Sequence, residues 1–128
     1  MQVFIHYSFH FIFPLIIAVI LFKKNWKKTY CIFIATMLVD LDHLLTNPIF
    51  DPNRCSINFH PLHTYYAIAI YILLLFLRKP LRTIGIGLLL HMLADLIDCI
   101  MMYKNCSSCF YNSPALKLLE NISRIIGS

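Results

Sequence analysis

All six histidines and four of the six acidic residues stand in short clusters inside or beside hydrophobic stretches. The clusters are His6-x3-His10, Asp40-x-Asp42-His43, His60-x2-His63 and His91-x3-Asp95-x2-Asp98. The chain is 59% hydrophobic and 13% charged, so these groups occupy costly positions. An Asp at the centre of a membrane helix costs about 3 kcal/mol on the translocon scale. Imidazoles and carboxylates kept together in such a setting point to metal binding.

The elements that must position these groups follow from the hydrophobic pattern. With 128 residues, no low-complexity linker and no internal repeat, the chain reads as a single domain. A mean hydropathy of +0.71 places it among membrane proteins. The formal charge of +5 would suggest nucleic acid for a soluble domain. Here it reports topology instead, because seven of the eleven Lys and Arg lie in two runs, Lys23–Lys28 and Arg78–Arg82. The N-terminal stretch lacks a basic n-region and is followed by lysines, so it is expected to be a retained helix and not a signal peptide.

The expected fold is an all-α, integral membrane four-helix bundle with a C-terminal interfacial helix. Its spans are 3–22, 29–45, 63–77 and 81–103, and Pro14 interrupts the first. Gly85 and Gly87 mark a close helix contact in the fourth span. Residues 46–62, rich in Asn, Pro, Asp and Ser, read as a structured loop. Ser113 and Pro114 open a tail helix over about 114–126, with Ala115, Leu118, Leu119, Ile122, Ile125 and Ile126 at helical spacing. Both basic runs fall on one side, which predicts that this side is cytoplasmic. Arg54, Lys104, Lys117 and Arg124 lie on the other side, together with the N-terminus, the central loop and the tail.

This topology brings the clusters to one depth. On a rise of about 1.5 Å per residue, His6 and His10 lie about 8 and 14 Å in from Met1. Asp40, Asp42 and His43 precede Pro48 by about 7 to 12 Å, and Asp98, Asp95 and His91 lie about 7, 12 and 18 Å in from Tyr103. His60 and His63 sit at the mouth of the third span. All four groups fall in the outer, periplasmic half of the bilayer. His6 and His10 are i, i+4; Asp40 and His43 are i, i+3; His91, Asp95 and Asp98 are i, i+4, i+7. Each set makes a stripe on one helix face, and Asp42 falls off its stripe.

The candidate metal ligands are therefore His6, His10, Asp40, His43, His60, His63, His91 and Asp95. Asp42 and Asp98 are candidates for a general base or for orienting a ligand. Arg54, at the mouth, could grip a phosphate or pair with Asp51. Mixed imidazole and carboxylate ligands suit one or two divalent ions, zinc foremost, with iron or manganese as alternatives. Paired metals favour in-line displacement at phosphorus. Tyr7, Tyr65 and Tyr66 neighbour the histidines. Cys55, Cys106 and Cys109 fall outside, Cys99 within the fourth span and Cys31 near the cytoplasmic end of the second. A structural disulfide involving the tail is expected.

Asp40, Asp42 and His43, then His60, His63 and Thr64, then His91 and Asp95 give an order of motifs that resembles the YdjM-like family of bacterial inner-membrane, metal-dependent hydrolases. The likeness in helix and motif order runs from about His6 to Tyr103, and the motifs are similar to those of zinc-dependent phospholipase C enzymes. Val39 stands where that family has Pro, and His60-Pro-Leu-His63 is a closer spacing than its His-Arg-Gly-x-Thr-His. The resemblance implies a membrane-bound, metal-dependent hydrolase. The expected substrate is a phosphoester of a lipid or a membrane-proximal molecule. Membrane lipid is the expected partner, nucleic acid is not, and there is room for a homo-oligomer. The rival readings are a membrane di-iron oxidoreductase, whose His-x2-His-His boxes this chain lacks, and a metal transporter or sensor.

Overall fold

The computed structural model describes residues 2–47, 49, 51 and 54–127, with side chains from residue 4 onward. Met1 and Pro48, the origins of two depth estimates, lie outside the described residues. Every regular element among the described residues is helical. The α-helices are α1 (Gln2–Tyr7), α2 (Phe13–Phe22), α3 (Trp26–Ala35), α4 (Tyr65–Leu74), α5 (Leu81–Asn105) and α6 (Leu116–Ile126). The stretch Phe4–Leu45 and helix α5 are long and apolar enough to cross a membrane.

Phe4–Leu45 is 42 residues long. Drawn straight it would reach about 63 Å, twice the hydrocarbon thickness of a bilayer. It folds back at the 3-10 turn Lys23–Asn25, and α2 packs on α3. The first leg carries a π-helical segment, Ser8–Ile12, in which the Phe13 N–H donates to the Ser8 carbonyl. Pro14 explains it: the ring would meet the carbonyl four residues back, and it supplies no N–H. Widening the turn makes room and re-aims His10.

The second leg changes winding. After α3 the chain runs as a 3-10 helix from Thr36 to Leu45, long for its type. The Thr36 hydroxyl donates to the Phe33 carbonyl at 2.6 Å where the winding tightens. At three residues per turn, side chains sort into three rows. Thr36, Val39 and Asp42 are buried, whereas Leu38, Leu41 and Leu44 are 65%, 58% and 62% exposed. Met37, Asp40 and His43 form the intermediate row. Asp42 is thus off the Asp40–His43 stripe because it belongs to the buried one. The Thr46 hydroxyl and N–H both bond the His43 carbonyl and end the helix.

The third expected span is corrected. Helix holds only over Tyr65–Leu74, ten residues, about half the length a crossing needs. His63 lies in the 3-10 turn Pro61–His63, and the Thr64 hydroxyl caps α4 by accepting from the Ala67 N–H at 3.3 Å. At the other end Arg82 Nε donates to the carbonyls of Leu75 and Leu77, at 2.9 and 3.1 Å, where helical pairing has ceased.

Helix α5 is the axis on which the rest packs: α1, α3, α4, α6 and the 3-10 segment all contact it. A Cβ on Gly85 would stand 2.7 Å from Leu74 Cβ, and one on Gly87 would stand 2.9 Å from Phe33 and Thr36. Each glycine therefore admits one neighbour, α4 or the second leg. The tail helix begins at Leu116, two residues later than expected, because Ser113 Oγ accepts from the Ala115 N–H ahead of it. Ala115, just ahead of this helix, and Leu119 within it are buried with Phe110, which meets the Tyr103 ring edge-on at the end of α5.

Two disulfides are present. Cys106–Cys109 closes the turn after α5, and Cys55–Cys99 ties the central loop to α5 across 44 residues. Cys99 is therefore a loop anchor and not an isolated thiol in a span. Closing a loop of that length stabilises by about 4 kcal/mol on the chain-entropy model. Cys31 remains a free thiol, on the surface.

If Gly87 sets the approach of the second leg, Gly87→Val should cost about 1–3 kcal/mol. The expected reading is a lower unfolding midpoint in detergent micelles, and an unchanged midpoint would contradict the contact.

Candidate metal centre

Four elements deliver the polar groups. The first leg brings His6 from α1 and His10 from the π segment. The 3-10 segment brings Asp40 and His43 on one row and Asp42 on the next. The central loop and its turn bring His60 and His63, and α5 brings His91, Asp95 and Asp98 at i, i+4, i+7. All eight ligands expected from the sequence fall into three groups that could hold a metal ion: Asp40, His63, His91 and Asp95; His6, His10 and Asp95; Asp42, His43 and His60.

The first group is the most closely knit. His63 Nε2 lies 3.4 Å from Asp40 Oδ1 and 3.0 Å from Asp95 Oδ2. His91 Nε2 lies 3.1 Å from Asp40 Oδ1 and 3.4 Å from Asp95 Oδ2. Bonds of 2.0–2.1 Å in a tetrahedral site put neighbouring donors about 3.3 Å apart, so these four separations match a shared ion. His63 Nε2 and Asp95 Oδ2 are both buried and, although 3.0 Å apart, make no hydrogen bond. Buried polar atoms are ordinarily paired. Two acceptor lone pairs aimed at a common point leave this signature, and a cation between them resolves it.

The ring of His63 is set from behind. Its Nδ1 donates to Asp42 Oδ2 at 3.0 Å, which leaves Nε2 as the electron donor. Asp42 Oδ2 also accepts from the Leu62 N–H at 2.8 Å. Tyr71 completes the support by donating its hydroxyl to the Leu62 carbonyl at 2.9 Å.

The two flanking groups share residues with this centre. Asp95 turns its other oxygen, Oδ1, toward His10 Nε2 at 3.3 Å, so one carboxylate faces two groups. His6 stacks edge-on with His10 at 4.3 Å and reaches Asp98 Oδ2 at 3.5 Å. On the far side His43 approaches Asp42 Oδ1 at 3.2 Å, and His43 and His60 stack at 3.8 Å. Ser56 Oγ meets His43 Nε2 at 3.2 Å. Burial and the neighbouring His43 push the His60 imidazole down to about 4, so it is neutral, with one ring nitrogen open to a metal, at pH 7.

Asp40 and Asp95 of the first group, His6 of the second and His43 and His60 of the third line a cleft of about 690 Å³ that reaches Asp98, Arg54 and Tyr7. Arg54 is held at the rim: Nη2 donates to the Ile49 carbonyl at 2.8 Å, and the guanidinium covers the Phe59 ring at 5.0 Å. Tyr65 and Tyr66 are exposed and do not line the cleft. Sequence reasoning missed Ser56, Tyr71 and the Cys55–Cys99 anchor. Tyr71 carried a usable signal, a hydroxyl amid an apolar helix two turns after His63; the other two depend on the loop's path.

Asp42→Asn keeps the size but loses the charge that fixes the His63 ring. Divalent metal affinity, read by competition with a chelating dye, should fall about 10- to 100-fold. An unchanged affinity would show that Asp42 does not orient His63.

Residues 1–102 match the model of DUF6122, a family of unknown function, and that stretch contains every residue of the three groups. No curated protein and no solved structure matches the chain. A match over this much of the sequence identifies the chain as a member of the DUF6122 family.

Proposed function

We propose that this protein is a membrane-bound, metal-dependent hydrolase acting on a phosphoester of a lipid or a membrane-proximal molecule, as the resemblance to the YdjM-like family implies. The observation that carries the reading is the set of converging donors at 3.0–3.4 Å, two of them buried within 3.0 Å of each other without a hydrogen bond. Zinc is the favoured ion, with iron or manganese as alternatives, because imidazole and carboxylate donors suit all three.

In this reading the two legs, α4 and α5 form a four-helix bundle in the bacterial inner membrane, with the site toward the periplasm. The outward faces support it: Phe4, Ile16, Ile20, Leu21, Leu73 and Phe76 are exposed and apolar, which water would penalise and lipid would not. The basic turns support the orientation. Lys79 Nζ lies 5.8 Å over the ring of Phe22, beside Lys23, so both runs occupy one end of the bundle. Residues 11–39 and 64–90 contain no His, Asp or Glu. An ion route through the bundle would lack ligands there, which disfavours transport.

One or two divalent ions would supply Lewis acidity at a phosphoryl oxygen and a lowered pKa for water. Asp40, His63, His91 and Asp95 would hold the first, and His6 and His10 would join Asp95 around a second. Asp42 is engaged by both His63 and the Leu62 N–H, so it acts as a positioning residue. Asp98, at the edge of the cleft beside His6, accepts the proton of the attacking water. Arg54 orients the phosphate at the rim.

Phospholipid vesicles incubated with the purified protein should release a phosphorylated or dephosphorylated product. The release should cease with chelator and return with zinc. Asp98→Asn should lower the rate about 100- to 10,000-fold. Metal-loaded protein that turns over no phosphoester would remove the hydrolase reading.

A further inference from the structure

We infer that the cleft is a lateral portal for a phospholipid, whose phosphate reaches the Asp40–His43 row while an acyl chain lies along Leu38, Leu41 and Leu44. The inference rests on the hydrolase reading for the identity of the head group and deepens it by assigning the route and the chain contact.

The 3-10 winding is what joins the two halves. With three residues per turn, Asp40 and His43 form one row and Leu38, Leu41 and Leu44 the adjacent one, parallel along the segment. Both rows line the same cleft, although the leucines are 65%, 58% and 62% exposed. An α-helix would let the rows drift around the axis. Here Asp40 and His43, one turn apart, lie alongside a leucine row that spans two turns.

The cleft is open, and exposed apolar residues, Tyr7 and the three leucines, are part of its lining. Helix α1 and the 3-10 segment each pack on α5, and the cleft lies between them, with His6 and Tyr7 on one lip and the leucine row on the other. Asp95 and Asp98 of α5 line it as well. A soluble phosphate would meet apolar lips at this opening. A phospholipid matches both parts at once: its phosphate complements Arg54 and a divalent ion that Asp40 and Asp95 would help to hold, and its chain complements the leucines.

The test uses the full chain in phosphatidylcholine nanodiscs containing a phosphatidic acid with a photoreactive diazirine in the middle of its acyl chain. The protein is loaded with zinc beforehand, and the readout, the position of the label, needs no turnover. Label should concentrate on 36–45, about fivefold above the comparably exposed Ile16, Val19 and Ile20 of α2. Leu41→Trp and, separately, Leu44→Trp should remove that excess, and Ile20→Trp should leave it. These side chains are exposed, so the changes spare the core. Even labelling of both faces overturns the portal, as does label on 36–45 that neither tryptophan reduces. Crosslinks joining two protein chains through Leu38 or Leu41 also overturn it, because a second copy then covers the row. So does inorganic phosphate binding as tightly as the lipid and indifferent to Leu41→Trp, which would assign a soluble phosphate site. Absence of hydrolysis with label on the portal would sink the enzyme reading alone.

Discussion

The constraint on which this structure depends is the burial of several carboxylates and imidazoles within one shell of an otherwise apolar chain. Asp42, Asp95, His10, His60, His63 and His91 are all at most 5% exposed. Buried ionisable groups persist only when they are paired or bound to a cation. Hydrogen bonds satisfy part of the set: His63 Nδ1 donates to Asp42 and so does the Leu62 N–H. They leave His63 Nε2, Asp95 Oδ2, both nitrogens of His10 and one of His60 without a hydrogen-bond partner. Two of these atoms, His63 Nε2 and Asp95 Oδ2, lie 3.0 Å apart, where one cation would contact both.

The rest of the fold can be understood as the means of building that shell. The π segment ahead of Pro14 aims His10, and the 3-10 winding separates Asp42 from Asp40 and His43, so one short segment serves both the donor set and its support. Gly85 and Gly87 let the neighbouring helices close on α5, which carries His91 and Asp95. The Cys55–Cys99 bond pins the loop one helical turn from Asp95, and Tyr71 holds the Leu62 carbonyl beside His63. Thus the least regular parts of the backbone are those nearest the cluster.

Much of this was legible in the sequence because charge is so expensive in hydrocarbon. Placing His6, His10, Asp40, His43, His91 and Asp95 at one depth needed only span lengths and the helical rise, and those residues do meet. The all-helical class followed from composition, whereas of the four expected spans only two stretches, Phe4–Leu45 and α5, are long and apolar enough to cross a membrane. What was not legible was local winding. An assumed rise and period of an α-helix set Asp42 aside, because nothing in Thr36–Leu45 announces three residues per turn. The third segment looked long enough to cross because Leu75, Phe76 and Leu77 are apolar, yet Arg82 takes the carbonyls of Leu75 and Leu77 and the helix stops. The path of the loop decided the pairing of Cys55 with Cys99, and no spacing rule predicts such a path.

The most direct measurement of the central claim is elemental analysis of the purified protein, wild type and His91→Ala/Asp95→Ala, after dialysis against trace zinc, iron and manganese. The account predicts about one to two bound ions per chain in the wild type, and loss of at least the central ion in the double variant while helical content by circular dichroism is retained. A folded wild-type protein that binds none of the three metals, or a double variant that binds as much as the wild type, would contradict it.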